Sequence, residues 1–257
     1  MITAASNSRI KRLVQLNQKS KLRRTEDVFL AEGVKMFLEA PREQLQEVYV
    51  SESFLEKCSC REHLEEVGYE VVSDSVFSKI SDTLHATGVL CVLKQFHYNI
   101  EEMLRDKAPL FLLLENIQDP GNSVRCCEPV RRRRFRDYHE PGYSRFVQPE
   151  VIRSTMGSIY RVPFYYADDF AAAVHQVQQA GVSVYAAHLR GKNSYACQDY
   201  TKGTAFLIGN EGNGLREETA ELADCYIRIP MEGKVESLNA AVASSILMYE
   251  AHRQRAI

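Results

Sequence analysis

Five large apolar residues in a row, Leu110-Phe111-Leu112-Leu113-Leu114, closed by Glu115, constrain the fold of this chain more than any other stretch. An amphipathic helix needs a polar face every three or four residues, and a half-buried strand needs a polar residue at every second position. A run with neither pattern suits a strand buried on both faces, which is the condition of a parallel sheet covered by helices on both sides. The chain after this run fits that reading. Asp168 to Ala180 has helical periodicity and Gly181 stops it; Val182 to Ala186 and Thr204 to Ile208 read as strands, Leu215 to Leu222 as a helix, Tyr226 to Ile229 as a strand and Ser237 to His252 as a final helix. Strand–helix alternation at this spacing predicts a doubly wound α/β sheet.

The segment before the run reads as a smaller α/β unit. Residues 6–25 are predicted as one basic helix, with Ile10, Leu13, Val14 and Leu16 among Arg9, Lys11, Arg12, Lys19, Lys21, Arg23 and Arg24. Strands are expected at Val28 to Leu30, Glu47 to Val50, Tyr69 to Val72 and Val89 to Leu93. Helices are expected at Val34 to Leu38, from about Ser51, and at Ser73 to Ile80. The division is therefore 1–97, a polar linker at 98–108, and 109–257.

A formal net charge of −2 gives no global signal for nucleic acid, yet the basic helix leaves room for a local RNA contact. No run of about 18 apolar residues is present, so no membrane span is expected. Seven cysteines without a disulfide-scaffold spacing point to a reducing cytoplasm. Cys58-x-Cys60 and Cys126-Cys127 lack partners at zinc spacing, so no metal is expected.

Two motifs near the C-terminus hold the chemistry. L-I-G-N-E-G-N-G-L-R-E-E, Leu207 to Glu218, turns sharply after a buried strand, where glycine permits the turn and backbone N–H groups can face a ligand. No Gly-Lys-Ser/Thr follows, which argues against a phosphate loop. I-P-M-E-G-K-V-E-S-L-N-A-A-V-A, Ile229 to Ala243, runs into the last helix. Ser237 is the expected N-cap there. Asn239, a poor helix former, is then left inside the first turn, which suggests a second task.

These two motifs resemble motifs two and three of the SpoU/TrmH family of RNA methyltransferases, in the SPOUT superfamily. Asn116 to Asn122, N-I-Q-D-P-G-N, resembles the start of motif one. R-S-T-M-G-S-I-Y-R-V-P-F, Arg153 to Phe164, is similar to the family segment that follows it. The first unit, with S-R-I-K-R and Phe29 to Ala40, resembles the family's substrate-binding domain. The resemblance implies a C-terminal trefoil-knotted methyltransferase domain with a parallel sheet, behind a smaller N-terminal α/β domain. It implies transfer of a methyl group from S-adenosylmethionine to a ribose 2′-hydroxyl of rRNA or tRNA, by a homodimer. It places Gly209, Ile229 and Leu238 on the cofactor and Asn122, Glu211, Ser237 and Asn239 at the polar, catalytic positions. RNA contacts are expected at Arg9, Lys11, Arg12, Arg23 and Arg24. A non-catalytic RNA-binding protein of the same fold is the alternative.

The chain departs from the family pattern in one place. Val124 stands where motif one has glycine, and Glu128 where it has the arginine proposed as catalytic. Arg131 to Pro141 shows neither helix nor strand periodicity, where the family has a helix and a buried strand. Codons for Val124 to Arg134 read in a shifted frame can supply the missing Arg-Thr pair and an alanine-rich helix. Codons for Asp137 to Pro149 in another frame can supply the strand. The arginine run reads as a basic RNA-contacting loop, as a solvated excursion or, the reading favoured, as a frameshifted gene sequence across 123–148. Peptide mapping tests it: recovery of an Arg-Arg-Arg-Arg-Phe peptide from the purified protein would refute it.

Overall fold

The computed structural model describes residues 1–83, 86–117, 148–231 and 237–256, and the backbone of 136–138. The chain divides into two compact units. One joins Met1–Phe96 with Phe146–Tyr160, and the other joins His97–Arg145 with Arg161–Ile257.

The first unit is built on a mixed four-stranded sheet. Its strands are β1 (Val28–Glu32), β2 (Leu45–Ser51), β3 (Glu70–Val72) and β4 (Val89–Lys94), in the order β1-β4-β2-β3. β4 runs antiparallel to both β1 and β2, and β3 joins β2 in parallel. The apolar stripe of α1 (Ser8–Gln18), Ile10, Leu13 and Leu16, buries with Val76, Phe77 and Ile80 of a second helix against Leu30, Tyr49 and Val92 of the sheet. The alternating strand residues Phe29, Ala31, Cys91 and Leu93 are buried as well. This second set requires cover on the other face. Helices Val34–Leu38 and Pro149–Ser154 pack against β1, the latter burying Val151 and Ile152. That packing explains why 146–160 groups with the first unit although it follows the long apolar run.

The single basic helix predicted at 6–25 is two helices. Lys19, with φ −115° and ψ 100°, is extended and separates α1 from α2 (Ser20–Thr25). Arg23 holds this break together. It is buried, and its guanidinium donates to the carbonyls of Leu16 and Asn17, at 2.5 and 2.9 Å, which the end of α1 leaves without helical partners. The helix predicted from Ser51 is likewise two pieces, Glu52–Lys57 and Arg61–Val67, interrupted at Cys58-Ser59-Cys60.

The second unit is a six-stranded, wholly parallel sheet: β5 (Leu110–Glu115), β6 (Arg136–Tyr138), β7 (Ser183–Ala187), β8 (Asn193–Ser194), β9 (Thr204–Ile208) and β10 (Cys225–Arg228), ordered β6-β5-β9-β7-β10-β8. All six residues of β5 are buried, as its unbroken apolar run demands. Phe111, Leu113, Val184, Ala186, Ala205 and Leu207 face helix Phe170–Gln179 through Phe170, Val174 and Val177. Phe206, Tyr185 and Tyr200 form an aromatic cluster with T-shaped and tilted rings. The long C-terminal helix Ala240–Arg255 packs against β9 and buries Leu247, Met248 and Ala251. Its last turn is fixed by Arg255, which donates to the carbonyls of Tyr200 and Ala108 at 2.6 and 2.9 Å.

Three further expectations need correction. Arg136-Asp137-Tyr138, in a stretch read as having no strand periodicity, lies parallel to β5 with Leu113 opposite Arg136. The helix predicted at Leu215 to Leu222 shortens to Glu217–Ala220, because the turn before it extends through Leu215. The last helix starts at Ala240, and its N-cap is Asn239, not Ser237. Asn239 Oδ1 accepts the Ala241 and Val242 amides at 2.9 and 3.4 Å, so a residue expected inside the first turn caps it instead.

Candidate active site

Because the sheet is parallel, the carboxyl ends of β7, β9 and β10 open on one edge, where α/β sheets bind ligands. Each strand delivers a different wall.

β9 delivers the glycine-rich turn. Asn210 and Gly214 exchange backbone hydrogen bonds, at 3.1 and 2.9 Å, and Gly214 takes φ +69°, a region that favours glycine. Asn210 Oδ1 accepts the amides of Gly212 and Asn213 at 2.8 and 3.1 Å, an Asx-type turn. Gly209 lies under this loop, and a Cβ there would overlap the backbone carbon of Gly214 and the nitrogen of Leu215. The turn requires a residue without a side chain at 209.

β7 delivers Ala187 and His188. The His188 amide donates to the Ile227 carbonyl at 3.1 Å, tying this wall to β10. His188 Nδ1 accepts the Arg190 amide at 3.2 Å, which puts the ring proton on Nε2, and the ring packs against Tyr226 with centroids 5.2 Å apart. Burial, aided by the nearby Arg190 charge, lowers the His188 pKa below its ordinary value. The imidazole is therefore neutral at neutral pH. Arg190 in turn pairs with Glu217 and lies over the Tyr226 ring at 6.0 Å.

β10 delivers Ile229 and Met231, and the approach to the last helix adds Ser237, Leu238, Ala240 and Ala243. Together the walls enclose a cavity of about 320 Å³. Ile208, Ile227, Ile229, Leu215 and Leu238 make the apolar part of the walls, while His188, Asn210, Glu211, Asn213, Arg228 and Ser237 place polar groups on them. This composition suits a ring system held flat between aliphatic side chains and read by a few hydrogen bonds. Glu211 is the one carboxylate among the described lining residues.

Five of the residues predicted from sequence, Gly209, Glu211, Ile229, Ser237 and Leu238, line this one cavity. Asn239 stands beside it as the helix cap. Asn122, Val124 and Glu128 lie outside the described residues. Among the described residues no cluster of His, Cys, Asp or Glu could hold a metal ion, and no helix is long and apolar enough to cross a membrane. Sequence reading left His188 unassigned and missed Asn210. The Asn-x-Gly pattern in the turn could have identified Asn210 as a loop-folding residue. Nothing local marks His188, which reaches the cavity only because β7 lies next to β10.

The predicted basic residues of the first unit are placed differently from one another. Arg12 pairs with Glu26 and Glu47 at 2.6 and 2.7 Å, and Arg23 is buried. Arg9 pairs with Glu70 at the surface, while Lys11 and Arg24 are exposed.

Residues 109–249 match the SpoU rRNA Methylase family, and residues 7–91 match the MRM3-like substrate binding domain. The chain is 37% identical, over 161 residues, to the tRNA (guanosine(18)-2′-O)-methyltransferase of Thermus thermophilus, which spans 61% of this chain and 81% of that protein. It is 31% identical to the 23S rRNA (guanosine-2′-O-)-methyltransferase RlmB of Ralstonia nicotianae, over 62% of this chain and 65% of that one. Its fold is similar to that of the AdoMet-bound rRNA methyltransferase from Sinorhizobium meliloti, with a TM-score of 0.81 and 25% identity, covering 98% and 97% of the two chains. It is similar also to the SpoU methyltransferase AviRb from Streptomyces viridochromogenes in complex with AdoMet, with a TM-score of 0.86 and 23% identity, covering 97% and 98%.

Proposed function

For a chain that belongs to the SpoU rRNA methylase family, we infer an RNA ribose 2′-O-methyltransferase whose methyl donor, S-adenosylmethionine, sits in the cavity at the ends of β7, β9 and β10. The observation behind this placement is the convergence of Gly209, Glu211, Ile229, Ser237 and Leu238, from three separate segments, on one pocket with apolar and polar walls. The fit is chemical. The Gly209 backbone is bare, and Ala240 and Ala243 leave the helix start open to close approach. Ile229 and Leu238 offer aliphatic faces to an adenine ring.

Bound there, the cofactor supplies an electrophilic methyl group on a sulfonium. The chain's part is to align a ribose 2′-hydroxyl with that methyl and to orient its proton; alignment of this kind accounts for much of the rate in such transfers. Glu211 is assigned to accept the hydroxyl hydrogen bond, with Ser237 and Asn239 beside it and Asn122 from motif one. The substrate class is rRNA or tRNA, as in the two relatives whose activities are stated above. In the first unit Arg9, Lys11 and Arg24 are assigned to RNA phosphates, while Arg12 and Arg23 hold the two helices in place. A homodimer through the C-terminal helix is part of the same reading: Val242 and Tyr249, seven residues and two turns apart on one face, are exposed there. The trefoil knot belongs to it as well, on family membership alone.

Calorimetric titration with S-adenosylmethionine, followed by methyl transfer to mixed rRNA and tRNA by wild type and Glu211→Ala, tests the assignment. Wild type is expected to bind and transfer; Glu211→Ala is expected to bind within about threefold of wild type, a difference under about 1 kcal/mol, and to transfer much more slowly. Undiminished transfer by Glu211→Ala would remove that carboxylate from the reaction.

A further inference from the structure

β5 lies beside β9 and ends in Glu115, whose side chain is 1% exposed. A buried carboxylate is costly unless its oxygens are satisfied. Here they are, and every described partner comes from the segment just after the glycine-rich turn. Oε2 accepts the backbone amide of Arg216 at 2.9 Å. Oε1 accepts the Arg216 Nε–H at 2.7 Å and the Thr219 hydroxyl. The residue just after the strand, Asn116, takes φ +52° and turns its carbonyl to the front of the same loop, where it accepts a hydrogen bond from Asn210 Nδ2 at 2.7 Å. The loop from 209 to 215, which forms one wall of the cavity, is thus pinned at both ends to the end of β5.

We propose that Glu115 is a positioning residue for the methyl-donor pocket: it fixes where the 209–215 loop stands, and through it the Gly209 backbone and the Glu211 carboxylate. The proposal rests on the assignment of that pocket to S-adenosylmethionine. A carboxylate serves better than an amide because it accepts three hydrogen bonds, one of them from a guanidinium, without offering a donor that would oppose Arg216. Apolar burial alone would hold the strand equally well, so the polar cluster accounts for loop placement rather than for sheet stability.

The test compares Glu115→Ala with Leu112→Ala, a substitution at a fully buried position on the same strand that strand alternation puts on the opposite face from Glu115. Amide hydrogen exchange across 209–216 in the cofactor-free protein is expected to quicken at least about tenfold in Glu115→Ala, at temperatures where both variants are folded, and to stay near wild type in Leu112→Ala. S-adenosylmethionine affinity is expected to fall about tenfold or more in the first and less than about threefold in the second, even where Leu112→Ala lowers the melting temperature more. Glu115→Gln, which keeps one oxygen for the Arg216 amide, is expected to lie between, and it serves for the comparison should Glu115→Ala not fold. Unchanged loop exchange in the Glu115 variants, or equal losses in Leu112→Ala, would overturn the proposal. Failure of wild type to bind S-adenosylmethionine would instead count against the pocket assignment, and the exchange result would still decide whether Glu115 places the loop.

Discussion

At the scale of single residues, the pocket depends on what is missing as much as on what is present. Gly209 has the backbone of Gly214 and Leu215 where a side chain would have to go. Gly209→Ala is therefore expected to displace the loop, costing about 1–3 kcal/mol of stability by overpacking and at least about tenfold in S-adenosylmethionine affinity. Thermal melts and calorimetry on the same sample read both; wild-type affinity would mean that the loop tolerates the methyl group. Asn239 poses a different question, since it caps the last helix and is also assigned to the site. Loss of a cap costs about 1 kcal/mol. Asn239→Asp and Asn239→Ser keep a side-chain oxygen for the Ala241 and Val242 amides, so both are expected to melt close to wild type, with Asn239→Ala a few degrees lower. If Asn239 also meets the substrate, methylation falls in all three. Full activity in the two capping variants would leave Asn239 a cap and nothing more.

At the scale of elements, much of the fold could be read in the sequence wherever a pattern is local. β5 and β9 fall where their continuous apolar runs put them. Helix Val34–Leu38 has its predicted bounds, and Asp169 caps the helix expected across 168–180. The misses arose where the burial of one side chain or the backbone angle of one residue decides, which residue type alone does not show. The break at Lys19 depends on buried Arg23, which looks in sequence like one more surface cation. The start at Ala240 depends on Asn239 taking φ −53° and ψ 140° where Ser237 was an equally good candidate. In the site, residues of the two motifs were legible, but Glu115 and His188 join it only through strand order, which no local pattern encodes. One element also makes a prediction about acid. On the C-terminal helix, Glu250 accepts hydrogen bonds from Arg253 and Gln254, which hold its carboxyl down to about 2 from 4.5. The folded chain keeps this proton off where the unfolded chain takes it up, so the stability is complete above the ordinary value and is lost as the pH falls toward 2. Between about pH 5 and about pH 3, the urea midpoint of wild type is expected to fall more steeply than that of Glu250→Gln. Parallel declines would show that the Glu250 interactions add nothing measurable.

At the scale of the whole molecule, residues 109–249 match the SpoU rRNA Methylase family and residues 7–91 the MRM3-like substrate binding domain; the proposal gives the methyl donor to the first and RNA to the second. The exposed pair Val242 and Tyr249 on the C-terminal helix places the assembly prediction there. Tyr249→Glu is expected to shift the protein from dimer to monomer in light scattering, and a variant that stays dimeric would move the interface elsewhere. The central claim is that this chain methylates ribose in RNA. The direct measurement is transfer of label from S-adenosylmethionine to mixed rRNA and tRNA, by protein whose 123–148 sequence has been verified by peptide mapping, followed by alkaline hydrolysis of the RNA. The predicted result is label retained in alkali-resistant dinucleotides, as a blocked 2′-hydroxyl requires. Label absent from RNA, with S-adenosylmethionine bound, would contradict the account.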